Sequence, residues 1–488
     1  MDRAQRTVAI LALGCFLLVG VSTFIDFDCW HQMALARETL ALGHVPLTDQ
    51  FAYTPTVYPV IHHEWGMGFV MYALATHGGL RAVRIAQWVL VLLVGATCWR
   101  LATRHASIGV ASALAPIATI MGWAGFTAIR ALLFTMLFVA LLLTALEQDR
   151  EGERRWIAWW LPLHVLWLNL HAGFVVGLAL MAVHTVEQAA RRARVGHLVG
   201  TLLAMVALTA VTPYGTAYYG HVWRALTLDR PLIGEWAPLW SAGPTGVLAY
   251  AVSVLVACYA VAKIGPRATV GWPLIAVGAA AALRHQRNVT LYAVMWFCLV
   301  PWWVEASEFG TLLRRFWARR SALVAWSGAL VIALAADVRN HVWTLSVPAN
   351  SGDHPQALYP VGAVAYLRAQ HVAGNLFVPF EYGAYVSWML HPSIKVSLDS
   401  RYEAAYQTTL LDEHVELYGA RPGWRAVLDR YPTDAVLVPR GAPVETPLAA
   451  DAEWPRAYED DAYTIFARSQ LGLPFVDERG KRFVGRFP

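Results

Sequence analysis

The stretch TVAILALGCFLLVGVSTFI, Thr7 to Ile25, followed directly by DFDCWH, Asp26 to His31, decides the architecture. The first part carries no charge and approaches the roughly 20 apolar residues that a helix needs to cross a bilayer. Arg3 and Arg6 precede it and no small-residue cleavage site of the A-x-A type follows, so it reads as an uncleaved helix with its N-terminus inside. The second part sets two carboxylates at the exit of that helix. A carboxylate near low dielectric is costly unless paired, and its pKa rises toward a value useful to a general base. Two aspartates can equally just mark a helix end.

Similar apolar runs recur at Val83 to Trp99, Ala106 to Gly122, Ala131 to Leu146, Trp156 to Leu168, Phe174 to Ala189 and Leu198 to Val211. Four more follow, at Val247 to Ala262, Thr269 to Leu283, Leu291 to Val304 and Ala322 to Ala336. The chain as a whole is 57% hydrophobic and 15% charged, with a mean hydropathy of +0.44. Soluble domains carry about 25% charged residues. Of the 38 Lys and Arg and 33 Asp and Glu, 31 follow Val338. The expected fold is an α-helical polytopic membrane protein of about 11–13 transmembrane helices, residues 1–337, with a small extracytoplasmic α/β domain at 338–488.

The basic clusters Arg100/Arg104, Arg150/Arg154/Arg155, Arg191/Arg192/Arg194, Lys263/Arg267 and Arg314/Arg315/Arg319/Arg320 occupy every second loop, as cytoplasmic loops do. The net charge of +5 is therefore a topology signal, and a nucleic-acid partner is not expected. Gly66 to Thr76 is apolar but short and is taken as half-inserted. The remaining loops face outside: 26–65, Arg130, Asn169/His171, Pro213-Tyr214-Gly215 and Arg284-His285-Gln286-Arg287. Arg284 and Arg287 break the positive-inside rule there, and such exceptions usually have an anionic partner or a function. Alone they also read as a pair solvating a helix end. Of the five cysteines only Cys29 lies in an external loop, and no disulfide framework or CxxC site is present.

The long loop continues GHVPLTDQFAYT, Gly43 to Thr54, and IHHEW, Ile61 to Trp65. His62-His63-Glu64 lacks the spacing of a zincin. With Asp26-x-Asp28, Trp30-His31, Arg130, Trp167 to Gly173, Thr212 to Gly215, Gly383 to Tyr385, Lys395 to Arg401 and Trp454 to Arg468, the chain resembles bacterial polytopic membrane proteins of the GT-C glycosyltransferase superfamily, of the lipid-linked-sugar-dependent, dolichyl-phosphate-mannose mannosyltransferase-like kind. Relatives often carry Pro after the arginine where this chain has Ala131.

The resemblance implies a glycosyltransferase of the bacterial cytoplasmic (inner) membrane, taking a sugar from a polyprenyl-phosphate donor to a glycan, lipid or protein acceptor outside. An acidic residue of the first external loop would activate the acceptor. Asp28 or Asp26 could be that base, with Glu64 and Asp49 in reserve. Trp30 could support a sugar face. Arg284 and Arg287, with His285 and Arg130, could hold the leaving phosphate. His63, His171, Asp399 and Arg401 complete the candidate binding residues, although His171 with Asn169 also suits interhelical hydrogen bonding and Asp399-x-Arg401 a turn-closing ion pair. Asp26-x-Asp28 resembles pairs that hold a divalent metal ion, without further ligands in the sequence. The rival expectation is a non-catalytic or flippase-like carrier of the same fold in envelope glycan assembly.

In the last third, Asn375 to Phe380, Tyr385 to Met389, Ile394 to Leu398, Ala435 to Val438 and Tyr463 to Ala467 read as strands, and Val361 to Ala369 and Ala404 to Leu417 as helices.

Overall fold

The computed structural model describes residues 3–19, 25–228, 230, 233–339, 347–350, 358–401 and 404–488. The end of the first apolar run, 20–24, and residues 340–346 at the expected start of the C-terminal domain lie outside these. All eleven apolar runs are helical where described: α1 (Arg3–Val19), the second part of α3 (Trp65–His105), α4 (Ile108–Thr127), α5 (Leu132–Arg150), α6 (Trp156–Leu170), α7 (Phe174–Ala190), α8 (Gly196–Leu208), α10 (Pro244–Ile264), α11 (Trp272–Arg284), α12 (Val289–Glu305) and α14 (Arg320–Arg339). Between them lie α2 (Asp28–Leu42), α9 (Ala217–Thr227) and α13 (Glu308–Trp317).

Among the described residues α3, α4, α5 and α10 are each long and apolar enough to cross a membrane. The bent pair formed by residues 286–305 and α13, at 95°, adds a fifth, and α7, α8 and α11 are apolar but shorter. The molecule is a multi-pass membrane protein. Gly66 to Thr76 lies in the first part of α3, which breaks at Gly79, where φ is 60° and ψ −157°. Only glycine adopts such a conformation without strain.

Contacts divide the chain into two compact units. The first holds 1–23, 84–212 and 226–344. Within it α12 is buried along nearly its whole length and packs on α4, α5, α10 and α11, while α1 lies along α4. A helix apolar on every side belongs in such a centre. Acidic residues in this unit pair internally: Asp149 accepts from His184 (3.2 Å) and His197 (2.7 Å), and Glu187 meets Arg150 (3.5 Å) and Arg191 (3.2 Å).

The second unit holds 24–83, 213–225 and 345–488, so the long loop after α1 folds with the C-terminal residues. Its sheet runs β2-β1-β3-β5-β4-β6, from β1 (Gly374–Phe377), β2 (Ile394–Val396), β3 (Ala435–Pro439), β4 (Arg456–Glu459), β5 (Tyr463–Ala467) and β6 (Val476–Asp477). β2, β1 and β3 are parallel, and β5 pairs antiparallel with both β3 and β4. Helices α15 (Val361–Ala369), α16 (Gly383–Leu390), α17 (Thr408–Tyr418), α18 (Trp424–Arg430) and α19 (Glu445–Ala449) complete this α/β part. Phe377, Leu417, Leu428, Val436, Trp454 and Phe466 form one core beneath it.

Two sequence expectations are corrected. Tyr385 to Met389 is not a strand but most of α16; Gly383 through Trp388 are all buried, so the run carries no alternation that would tell strand from helix. The helix expected at 404–417 begins only at Thr408.

The loop itself extends the sheet edge. Val396 N–H donates to Phe51 O (2.9 Å) and Tyr53 N–H to Val396 O (3.1 Å), and Val57 N–H donates to Ala405 O (2.8 Å). These bonds satisfy backbone groups that an open edge would leave unpaired.

Candidate functional site

The exit of the first apolar run becomes the start of α2. Asp26 accepts the Asp28 N–H at 3.0 Å through its carboxylate, and its carbonyl accepts Cys29 N–H at 3.1 Å. Phe27 is the N-cap and Asp28 stands in the first turn, where the positive end of the helix dipole favours a carboxylate. One turn on, at i+3 and i+4, stand His31 and Gln32, on the same helix face as Asp28. Gln32 donates to the Glu64 carboxylate in a short bond, and His63 Nε2 lies 3.8 Å from the other Glu64 oxygen. Gly68 makes that approach possible: a Cβ there would stand 2.5 Å from the Gln32 carbonyl oxygen. The His63 ring stacks on His221 at 5.4 Å, and its Nδ1 has no hydrogen-bond partner among the described residues.

His31 Nδ1 meets Ser400 Oγ at 3.1 Å. Burial, with the Arg401 charge adding to it and Asp399 opposing it, pushes this imidazole down to about 4. It is neutral at pH 7. His62, also buried, is pushed well below its ordinary value for the same first reason, with Arg401 adding to it.

Asp49, Asp399 and Arg401 form a closed set. Arg401 donates to Asp399 through Nε (2.8 Å) and Nη2 (2.7 Å), to Asp49 through Nη1, and to Tyr406 Oη at 3.0 Å. Asp49 also accepts the Phe51 and Ala52 N–H groups at 2.8 and 2.6 Å. All three side chains are at most 2% exposed. Burial alone would raise the Asp49 pKa, but the Arg401 charge and hydrogen bond hold it below the usual range. Two buried carboxylates on one guanidinium tie the loop to the strand-end turn after β2. This arrangement has the form of the ion pair that Asp-x-Arg suggests, with Asp49 added.

Trp30 corrects another expectation. It is fully buried, donates from Nε1 to Tyr359 Oη (2.9 Å) and packs edge-on against Tyr359 and Tyr385, so its ring offers no face to a sugar.

The first unit carries a second cluster. Arg130, at the turn after α4, makes a two-pronged pair with Glu235 at 3.0 and 3.2 Å. Arg287 Nη1 reaches the same carboxylate at 3.7 Å and lies over the Trp236 ring at 4.5 Å, while Arg230 stacks on that ring at 4.2 Å. His285 Nδ1 bonds Trp236 O at 2.6 Å, and Gln286 N–H donates to Ala237 O at 3.0 Å. Three guanidiniums, one carboxylate and an indole thus share one place. Arg284, in the last turn of α11, is exposed. Glu235, Trp236 and Arg230 were absent from the sequence candidates. The available signal was the pair of arginines standing against the positive-inside rule, which called for an anionic partner.

His171 is buried at the end of α6. Trp167 Nε1 donates to Thr135 Oγ1 (2.8 Å), Thr135 donates on to His171 Nδ1 (2.6 Å), and Gly173 N–H donates to the same nitrogen (3.2 Å). Nδ1 is then the acceptor, and the bonds join α5 to α6.

One trio among the described residues has metal-ligand spacing, His105, Glu147 and Glu151, with ligand atoms within 4.8 Å of one another. Arg150 already pairs with Glu147 (3.1 Å) and Arg104 with Glu151, so the carboxylates are neutralised without an ion.

No family model matches the chain, and no curated protein matches it. Among solved structures, the archaeal oligosaccharyltransferase AglB from Archaeoglobus fulgidus, in complex with an inhibitory peptide and a dolichol-phosphate, superposes with a TM-score of 0.54 over 89% of this chain and 69% of that one, at 12% identity. The chain shares its fold with that membrane oligosaccharyltransferase. At this identity the likeness is one of fold alone.

Proposed function

We propose that the protein is a membrane glycosyltransferase that moves a sugar from a polyprenyl-phosphate donor to an acceptor outside the cytoplasmic membrane. The observation that carries this reading is the shared fold, which extends over 89% of the chain. The solved structure that shares this fold is a complex with an inhibitory peptide and a dolichol-phosphate.

The side chains suit the chemistry. An acceptor hydroxyl attacks the anomeric carbon, its oxygen bonds that carbon, the carbon–phosphate oxygen bond breaks, and the proton passes to a carboxylate. Asp28, in the first turn of α2, is the residue we assign to the proton. The leaving phosphate carries the departing electron pair and needs cations. Arg130 and Arg287 supply them, pre-oriented by Glu235 so that less side-chain freedom is lost on binding. The sugar and acceptor stay open. Hexosyl and pentosyl donors are both compatible.

The test is to purify the full chain, supply a panel of polyprenyl-phosphate sugars with and without a divalent cation, and look for transfer to glycan, lipid and peptide acceptors. Transfer abolished by Asp28→Asn supports the reading. Binding of the lipid-linked sugars without transfer to any acceptor supports the carrier reading instead.

A further inference from the structure

A cavity of about 680 Å³ opens inside the first unit between α1, α3, α4 and α12. That is within the roughly 300–1,000 Å³ of small-molecule sites. Phe16, Leu92, Phe126 and Phe297 are among its walls, and Arg6 is the one charged residue that lines it among the described residues. Ile10, Leu13 and Leu92 on the wall are 66, 51 and 44% exposed, so the cavity is open along its flank. From Arg6 to Phe16 is ten residues of α1, roughly 15 Å at 1.5 Å per residue. That is half of the roughly 30 Å hydrocarbon thickness, the depth of one leaflet.

A flank-open apolar slot of one-leaflet depth with a cation at one end has the chemistry of a lipid: a chain along the slot and an anionic headgroup at Arg6. The same helices say which lipid. Phe16, late in α1, meets Phe126, late in α4, at 5.2 Å, so the two helices run in the same direction. Arg6 therefore lies by the start of α4, whereas Arg130 follows its end and Arg287 precedes α12. The cavity cation and the Arg130/Arg287 cluster stand at opposite ends of the bundle, so one phosphate cannot serve both.

We infer that this cavity is a binding site for an anionic phospholipid of the leaflet opposite the arginine–Glu235 cluster, one acyl chain filling the slot and the headgroup paired with Arg6. The site is separate from donor chemistry and its test reads no transfer.

The full-length protein is delipidated in a mild detergent, and its thermal unfolding is followed with added dioleoylphosphatidylglycerol or dioleoylphosphatidylcholine, while native mass spectrometry counts retained lipid. The phosphatidylglycerol should raise the midpoint by several degrees more than the phosphatidylcholine, with one molecule retained. Arg6→Gln should erase the difference between the two headgroups. Ala96→Phe, which fills the slot from an exposed position on its wall, should abolish retention of the bound lipid while leaving the fold intact by circular dichroism. Equal effects of both lipids on the wild type, or retention unchanged in both variants, overturns the assignment. Competitive displacement of the phosphatidylglycerol by undecaprenyl phosphate overturns it too, giving the slot to the donor chain.

Discussion

At the scale of single residues, the two clusters make separable predictions. Asp28→Asn keeps shape and hydrogen bonding but loses proton acceptance, and should slow transfer about 10²- to 10⁴-fold with membrane insertion unchanged. Wild-type transfer by that variant, and by Asp26→Asn, would remove the base from this loop. Arg287→Ala should weaken donor binding roughly 10- to 100-fold, the size of a lost charge-assisted contact. Arg284→Ala should matter far less, because Arg284 is exposed while Arg287 sits on Trp236 and Glu235. Equal losses in titrations of the two variants would dissolve that distinction. In the same direction as His62, His31 contributes to the pH response. Its pKa is lowered in the fold to about 4 from the ordinary 6.5, so between these values an unfolded chain takes up a proton that the native one refuses. Stability should fall as pH drops from 6.5 toward 4, and His31→Asn should flatten part of that slope in thermal melts. Asp49 acts lower still: its depressed pKa lends stability above its ordinary 3.8 that is lost as pH falls further.

At the scale of elements, the close approach of α2 and α3 holds Glu64 in place. Gly68→Val would drive a Cβ to 2.5 Å from the Gln32 carbonyl oxygen, a backbone atom that cannot swing aside. The expected cost is about 1–3 kcal/mol, with a lowered melting midpoint, because overpacking forces backbone shifts. An unchanged midpoint would mean that α3 can slide freely past α2. The same scale explains what the sequence could tell. Every long apolar run became a helix, since a run with no polar face has no other way to satisfy its backbone in hydrocarbon. Where burial is complete in a water-soluble fold, the pattern loses its information: Gly383 to Trp388 is buried throughout, and period 2 cannot be told from 3.6 there. Likewise Asp49, Asp399 and Arg401 stood in the sequence as three isolated candidates. Their union depends on residues 352 positions apart meeting across a sheet edge, which no local spacing encodes. Glu235 was missed for the same reason, although the expected exception of Arg287 to the positive-inside rule pointed to a partner for it.

At the scale of the whole molecule, the functional reading needs one more property, the side of the membrane on which the C-terminal residues lie. We propose that they lie outside, as eleven passes from an inside N-terminus would put them, and that count turns on Gly66 to Thr76. The first part of α3, from Trp65 to the break at Gly79, is 14 residues long. At 1.5 Å per residue it reaches roughly 21 Å, short of the roughly 30 Å core. The 13-residue α8 and α11 are no longer than that, so length alone does not decide the parity of the later loops, and a reporter at the C-terminus does. Alkaline phosphatase fused after Pro488 should be active, and a fluorescent protein that folds only in the cytoplasm should be dark at the same point. The reverse result would invert the side of every loop after α3. Arg284 and Arg287 would then obey the positive-inside rule, and their charge would be explained by topology without any phosphate to bind. The reporter thus tests orientation and the anion clamp together, whereas Asp28→Asn tests the base alone.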